Sequence, residues 1–301
     1  MKSRNQKPTE RFSPRQQQNW DWRAAANFIF GGAGGGLLLL AAFTHLMGGD
    51  ARLPLLAGMA LIGTGLTCVW FEIGRPWRAL NVYRHIATSW MTREAMVALP
   101  LFACGALAAL TGHTVLVFAA GLLGAVFLYS QARILNANKG IPAWRHPRCL
   151  PLLGATGLAE GAGLMALFAP FVAPGVVAVV AVALIAALVL RVVMWRSYLS
   201  ALRADGAPVG SLKALDAIDM RLMAIAHAVP AGLAGVAAIG VPGASLGLLV
   251  AGLLAVAGGW VFKFTLIRRA AYSQGMAVPH LPVRGRGVAG PRVKPGWTGQ
   301  G

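Results

Sequence analysis

Acidic residues are scarce in this sequence: 9 Asp+Glu stand against 27 Lys+Arg in 301 residues, and charged side chains make up only 12% of the chain. Soluble proteins average roughly 25% charged residues, so a water-soluble globule of this length would lack the polar groups to cover its surface. Cysteine is scarcer still. Cys68, Cys104 and Cys149 are the three present, with no Cys-x-x-Cys and no cluster, which excludes a disulfide scaffold and an iron–sulfur cluster held by this chain alone. Histidine is too thinly spread for a haem between facing helices. Of six His, only His45 and His113 fall at comparable depth, near one end of their apolar runs, so no metal or haem is expected in this chain. Apolar residues, by contrast, make up 57% of the sequence and the mean hydropathy is +0.63. That composition belongs to a polytopic α-helical membrane protein.

The net charge of +18 gives a pI near 11.4. In a soluble protein this would point to nucleic acid. In a membrane protein the simpler reading is topological, because basic residues gather in the loops on one side and meet anionic headgroups there; no nucleic-acid partner is expected. Residues 1–23 are polar and basic, with no apolar core ahead of a cleavage site, and no secretory signal is expected from them.

Eight apolar runs approach the ~20 residues that a helical span requires: 24–47, 53–72, 94–111, 114–132, 151–171, 175–195, 221–240 and 244–266. The polar segments 73–93, 133–150 and 196–220 separate them in pairs, and the remaining connections are very short. The expected fold is therefore an all-α integral membrane protein of eight transmembrane helices, arranged as two four-helix bundles or as one eight-helix bundle. Its parts are a basic segment 1–23, a membrane domain 24–266 and a basic tail 267–301. With eight spans both termini and the three long loops share one side. Of the 27 basic residues only Arg52 falls on the other, if Arg191 and Lys263 are placed near the ends of their helices. The positive-inside rule then predicts that both termini are cytoplasmic.

Within the spans, the run GGAGGG at 31–36 lies inside an apolar helix, which removes a dinucleotide-binding role and leaves close helix packing or a flat ligand against the glycines. Acidic residues in a membrane are costly and therefore informative. Glu72 closes the second span, Glu94 opens the third and Glu160 lies near the middle of the fifth. Each has a structural alternative: Glu72 pairing with Arg75 or Arg78 at helical spacing, Glu94 meeting a helix N-terminus capped by Thr92, Glu160 held as a hydrogen-bonded interior acid.

The segment 72–94, EIGRPWRALNVYRHIATSWMTRE, resembles the loop between spans two and three of the polysulfide reductase NrfD family, which includes the anchor subunits of DMSO reductase-like complexes. Tyr129 followed by IPAWRHP at 141–147 resembles the tyrosine and proline–tryptophan loop after that family's fourth span. The segments NWDWRAAANFIFGGAGGG and KFTLIRRAAYSQGMAVPHLPVRG are similar to the membrane subunit of phenylacetyl-CoA:acceptor oxidoreductase-type molybdoenzymes. The resemblance implies an eight-span anchor that binds no metal itself. Such an anchor docks an iron–sulfur subunit carrying four clusters, which in turn docks a molybdopterin catalytic subunit, and it exchanges electrons and protons with a membrane quinone, ubiquinone or menaquinone. In these anchors a histidine precedes the GRP-like turn and a glutamate ends the second motif. Here the glutamate is Glu94 and the histidine position holds Glu72.

Residues at the basic ends of the first four spans suit such a site, which needs partners for two carbonyl oxygens and a proton carrier. Glu94 and Glu72 are the expected proton-handling residues, and Asn27, Tyr129, Arg133 and Arg75 the expected quinone-binding residues. Trp77, Trp90 and Trp144 fit an interfacial aromatic belt. The catalytic partners are expected on the cytoplasmic side, against the loop arginines. Two rivals remain from the sequence: a secondary transporter and a purely structural membrane tether.

Overall fold

In the computed structural model, residues 13–73 and 76–275 are described, with the side chains of Pro76, Arg78 and Ala79 excepted. The described residues fold into ten α-helices: α1 (Trp22–His45), α2 (Arg52–Glu72), α3 (Trp90–Thr111), α4 (Thr114–Asn136), the short α5 (Pro142–Arg145), α6 (Cys149–Val172), α7 (Val177–Ala204), α8 (Val209–Met223), α9 (Val229–Ala238) and α10 (Ala244–Phe264). A 3-10 helix, Pro76–Arg84, lies between α2 and α3. One π-helical turn, Ala224–Ala228, joins α8 to α9, and another, Thr265–Arg269, ends α10. Among the described residues eight helical segments are long and apolar enough to cross a membrane, with α8 and α9 forming one of them.

The eight spans agree with the apolar runs, but the third polar segment does not stay a loop. Helix α7 continues to Ala204 and α8 begins at Val209, so most of 196–220 is helical. Trp195, Tyr198, Leu199 and Leu202 recur at helical spacing and are buried, as is Leu215 on α8. Their amphipathic pattern keeps the helices going where hydropathy alone falls off. Trp195 Nε1 donates to Asp219 Oδ1 at 2.6 Å and Arg196 donates to Asp219 Oδ2 at 2.8 Å, which ties the two extensions together.

Helix α1 is the hub. It packs on α2, α4, α6 and α10, and the glycines of 31–36 face all four of these neighbours, Gly31 and Gly35 both turning to α4. A Cβ on Gly34 would meet Gly58 and Ile62 of α2, one on Gly35 would meet Gly124 of α4, and one on Gly36 would meet Gly157 and Gly161 of α6. Glycine-to-glycine approach lets backbones close up where lipid supplies no hydrophobic drive. Helices α1–α4 thus form one four-helix group and α6–α10 another, joined along the α1/α6 seam. Replacing Gly36 by Ala forces a methyl into the α6 backbone and is expected to lower stability by about 1–3 kcal/mol, read as a drop in melting temperature in detergent.

The two ends of the described segment meet at one end of the bundle. Gln16 bridges to Tyr272, Gln17 N–H donates to the Ala271 carbonyl at 2.8 Å, and Gln274 N–H donates to the Gly140 carbonyl at 3.2 Å. Trp20 stacks on Trp144 at 4.9 Å and on Phe28 at 5.8 Å. Trp144 is fully buried and donates Nε1–H to the Leu266 carbonyl at 2.9 Å, so it is a core residue here and not part of an exposed aromatic belt. Trp77, at 84% exposure, fits the belt. Arg84 of the 3-10 helix, Lys139, Arg145 of α5, Arg148 and Arg203 at the end of α7 lie at this charged end. At the opposite end the turns are tight: α3 stops at Gly112, whose φ of 68° only glycine adopts freely, and α4 starts two residues later. His45 is engaged there, with Nε2 3.2 Å from Thr114 Oγ1 and Nδ1 3.2 Å from the Gly49 carbonyl.

The loop 141–148 carries a titratable contact outside the membrane spans. His146 Nδ1 accepts from the Arg148 N–H at 3.1 Å, so in its neutral form the proton sits on Nε2, which faces Asp205 Oδ2 at 3.2 Å. Burial holds the His146 pKa below its ordinary value, the nearby Asp205 opposing that shift. The unfolded chain therefore binds the proton more readily, and stability contributed by neutral His146 is lost as pH falls through its folded pKa. The melting temperature of the wild type is expected to fall on acidification below about pH 6.5, and that of His146→Gln to fall less.

Candidate quinone site and the buried polar chain

The charged end of the α1–α4 group holds a buried carboxyl. Helix α3 begins at Trp90 with Ser89 as its cap, Oγ accepting from Thr92 N–H at 3.4 Å. Thr92 instead donates its hydroxyl to the Val82 carbonyl, clamping the 3-10 helix onto α3. Glu94 therefore lies past the first turn and is not paired with the helix N-terminus in the way a Thr92 cap would place it. It points inward with 5% exposure.

Two amides meet it. Asn27 of α1 directs Nδ2 to Glu94 Oε1 at 3.5 Å, a long contact, while Gln131 of α4 lies against the same carboxyl. Gln131 Nε2 also donates to the Asn27 carbonyl at 2.9 Å. Asn27 Oδ1 is buried without a hydrogen-bond partner. An orphaned buried acceptor beside a buried carboxyl is costly unless something fills its lone pairs. Room for the cluster comes from glycines: a Cβ on Gly31 would run into Gln131 and Phe127, and one on Gly65 of α2 would press on Asn27.

The remaining sequence candidates fall into other groups. Tyr129, two residues before Gln131, points about 200° around α4 from it and is 47% exposed. It meets the edge of Trp90 at 5.7 Å. Trp90 also carries the Arg93 guanidinium at 4.2 Å and that of Arg133 at 4.8 Å, a stacking of cations on an indole face. Arg133 Nε is buried without a partner. Glu72 is half-buried at the end of α2 and takes a hydrogen bond from the Asp21 backbone, with Arg23 and Arg268 nearby. Asp21 caps α1 and holds Arg23 at 2.7 Å. Arg75 lies outside the described residues. Asn27 and Glu94 are thus brought together, and Tyr129 and Arg133 form a second cluster around Trp90.

A larger polar feature lies deeper. Glu160 of α6 and Lys263 of α10 are fully buried and paired, Nζ to Oε2 at 2.5 Å. Arg191 of α7 is also buried. Its Nε donates to His227 Nε2 at 2.8 Å, its Nη1 to the Ala255 carbonyl at 2.9 Å and its Nη2 to the Ala226 carbonyl at 2.7 Å. His227 Nδ1 lies 2.7 Å from the Leu222 carbonyl, so Nδ1 carries the proton and Nε2 accepts from the arginine. The π-turn at Ala224–Ala228 carries both His227 and the Ala226 carbonyl that Arg191 uses. Arg191 and Lys263 are interior groups, not the loop-facing residues that their place near helix ends suggests. A Glu160 partner on another helix is beyond what the spacing within one helix reveals. Gln131 and Lys263 do leave one trace in the sequence: a carboxamide and an ammonium placed within mainly apolar spans.

A family model described as DMSO reductase anchor subunit (DmsC) matches residues 21–196, more than half of the chain. The chain belongs to the DmsC anchor family. The match begins at the Asp21 cap and runs through α6 into α7, so it contains Asn27, Glu94, Gln131 and Glu160 and stops short of Lys263. No curated protein matches the chain. The DmsC-type architecture is that of a multi-pass membrane protein, and among its described residues no three His, Cys, Asp or Glu gather into a metal-binding cluster.

Proposed function

We propose that this chain is the quinone-reactive membrane anchor of a molybdopterin/iron–sulfur oxidoreductase, with an iron–sulfur subunit and a molybdopterin subunit docked on its charged, cytoplasmic end in a bacterial inner membrane. The observation that carries the reading is the buried Glu94 carboxyl beside Asn27, whose Oδ1 lacks a partner. A quinone fits that donor set: Asn27 and Gln131 supply amide groups, and Glu94 supplies a proton-accepting carboxylate. When bound, a quinol supplies two electrons and two protons. Glu94 takes or gives a proton at its carboxyl oxygen, and the Asn27 amide fixes which oxygen faces the site. Asn27, Glu94, Gln131 and Phe127 are all buried, which supports a site shielded from bulk water.

The arginine-rich loops at the same end suit an acidic partner surface. Similarity to the phenylacetyl-CoA:acceptor oxidoreductase membrane subunit favours electrons flowing from a cytoplasmic acyl-CoA substrate to quinone. Affinity purification of the tagged chain in mild detergent tests the assembly. A cysteine-rich subunit and a molybdenum-containing subunit are expected with it. Titration of that complex with decylubiquinone and with menadione tests the site. Recovery of the chain alone, with neither quinone bound, would exclude the proposal and favour transport.

A further inference from the structure

The Glu94 cluster and the Glu160–Lys263 pair are not separate. A Cβ on Gly32 would collide with Lys263 Nζ and would lie 3.6 Å from Gln131 Oε1. The Gln131 amide and the Lys263 ammonium therefore share the hole that Gly32 leaves. The polar groups run Glu94, Asn27, Gln131, Lys263, Glu160 without leaving the protein interior. Glu94 sits about 6 Å along α3 from its start and Glu160 about 17 Å along α6, so the series leads from the charged end to the middle of the membrane. Glu160 Oε1 has no hydrogen-bond partner and faces Gly259. It is a buried acceptor at the inner end of the series.

Charge balance links the two ends. The charged groups acting on Glu160 are Lys263 from α10 and Arg191 from α7, and those acting on Lys263 are Glu160 and the same Arg191. His227 is held neutral by its two hydrogen bonds. Two buried cations thus face one carboxylate. With Glu94 ionised, the four charges of Glu94, Glu160, Lys263 and Arg191 cancel. With Glu94 protonated, one positive charge is left uncompensated in the membrane interior, where that is expensive. Arginine does not release its proton, so Lys263 is the cation that can restore balance.

We propose that Lys263 and Glu160 form a proton-exchange pair coupled to the Glu94 site across the Gly32 gap, so that proton gain at Glu94 is matched by proton loss at Lys263. The inner step conserves protons and charge: one proton moves from Lys263 Nζ to Glu160 Oε2, turning ammonium and carboxylate into amine and carboxylic acid. Transfer of that proton from Glu160 to a water molecule then leaves the pair as neutral lysine and ionised glutamate, one positive charge poorer, as Glu94 becomes one richer. This inference deepens the quinone-site reading and rests on it.

The test uses the purified complex in lipid nanodiscs. Infrared titration of the quinone-free complex follows the carbonyl bands of Glu94 and Glu160, assigned by Glu94→Gln and Glu160→Gln. Lys263→Arg keeps the ion pair but cannot give up a proton. It is expected to shift the Glu94 titration by about one pH unit, the size of a tenfold coupling between sites, and to shift the pH profile of decylubiquinol turnover with it. A merely structural role for Lys263 predicts that arginine rescues both. Glu160→Gln/Lys263→Met removes both charges together and guards against misfolding of single variants; a titration and profile unchanged in both Lys263→Arg and this double variant would overturn the coupling. Failure of the wild-type complex to bind or turn over quinone, by contrast, would sink the quinone-site reading itself.

Discussion

Glu94→Gln is expected to cut quinone turnover by the assembled complex about 10²–10⁴-fold, the usual contribution of a positioned acid–base group. The substitution is close to isosteric, and the amide can still receive the Asn27 contact at the position of Oε1. Assembly, metal content and melting temperature are therefore expected to stay near wild type. What is lost is the group that takes the proton. The loss is expected in kcat at saturating decylubiquinol, with KM changed little, because the interaction removed is one made as the proton moves. Asn27→Ala gives the complementary pattern: it removes a hydrogen-bonding group without removing the base, so its effect is expected mainly in KM. If Glu94→Gln turned over quinone at the wild-type rate, Glu94 would leave the mechanism and the Trp90–Tyr129–Arg133 cluster would become the leading candidate.

The fold was legible in the sequence because span length and loop charge are one-dimensional properties. Each apolar run near 20 residues became a helix, and the hairpin pairing followed from connections too short to do anything else. The extension of α7 and α8 was harder to see. Trp195, Tyr198, Leu199 and Leu202 share a face, but Arg196 and Arg203 between them pull the hydropathy down. The candidate site was legible only in depth. Asn27, Glu94, Tyr129 and Arg133 all fall near the same membrane level, yet a side chain's direction around its helix depends on which neighbour the helix packs against. Gln131 and Tyr129 differ by two positions and face nearly opposite ways. Tertiary packing chose Gln131 because Gly31 leaves room for it on α1. The same reasoning explains GGAGGG. Its composition announces close packing, but only the assembled bundle shows that Gly34, Gly35 and Gly36 meet three different helices while Gly31 and Gly32 house polar side chains.

The largest stability effect is expected at Lys263. Lys263→Met leaves the Glu160 carboxylate buried with Arg191 as its remaining cationic neighbour, and breaking a buried pair in this way typically costs about 3–5 kcal/mol. Glu160→Gln is expected to cost less, since a glutamine can still accept from the Lys263 ammonium through its carbonyl. The double variant Glu160→Gln/Lys263→Met removes both charges, and its stability is expected to recover most of the loss caused by Lys263→Met alone. The double-mutant cycle should therefore return an interaction energy well above the ~0.5 kcal/mol within which independent sites add. Thermal unfolding in detergent, followed by tryptophan fluorescence, reads it directly, because Trp195 and Trp260 report on the same half of the bundle. Additive single effects would mean that the 2.5 Å contact contributes nothing to stability in the membrane domain. A strongly favourable coupling would mean that α6 and α10 are held together by charge at mid-membrane, where glycine packing between Gly163 and Gly252 supplies the rest of their contact. The second outcome also accounts for the placement of the pair on facing helices and not along one helix: between α6 and α10, the ion pair would then fix the register of the two helices.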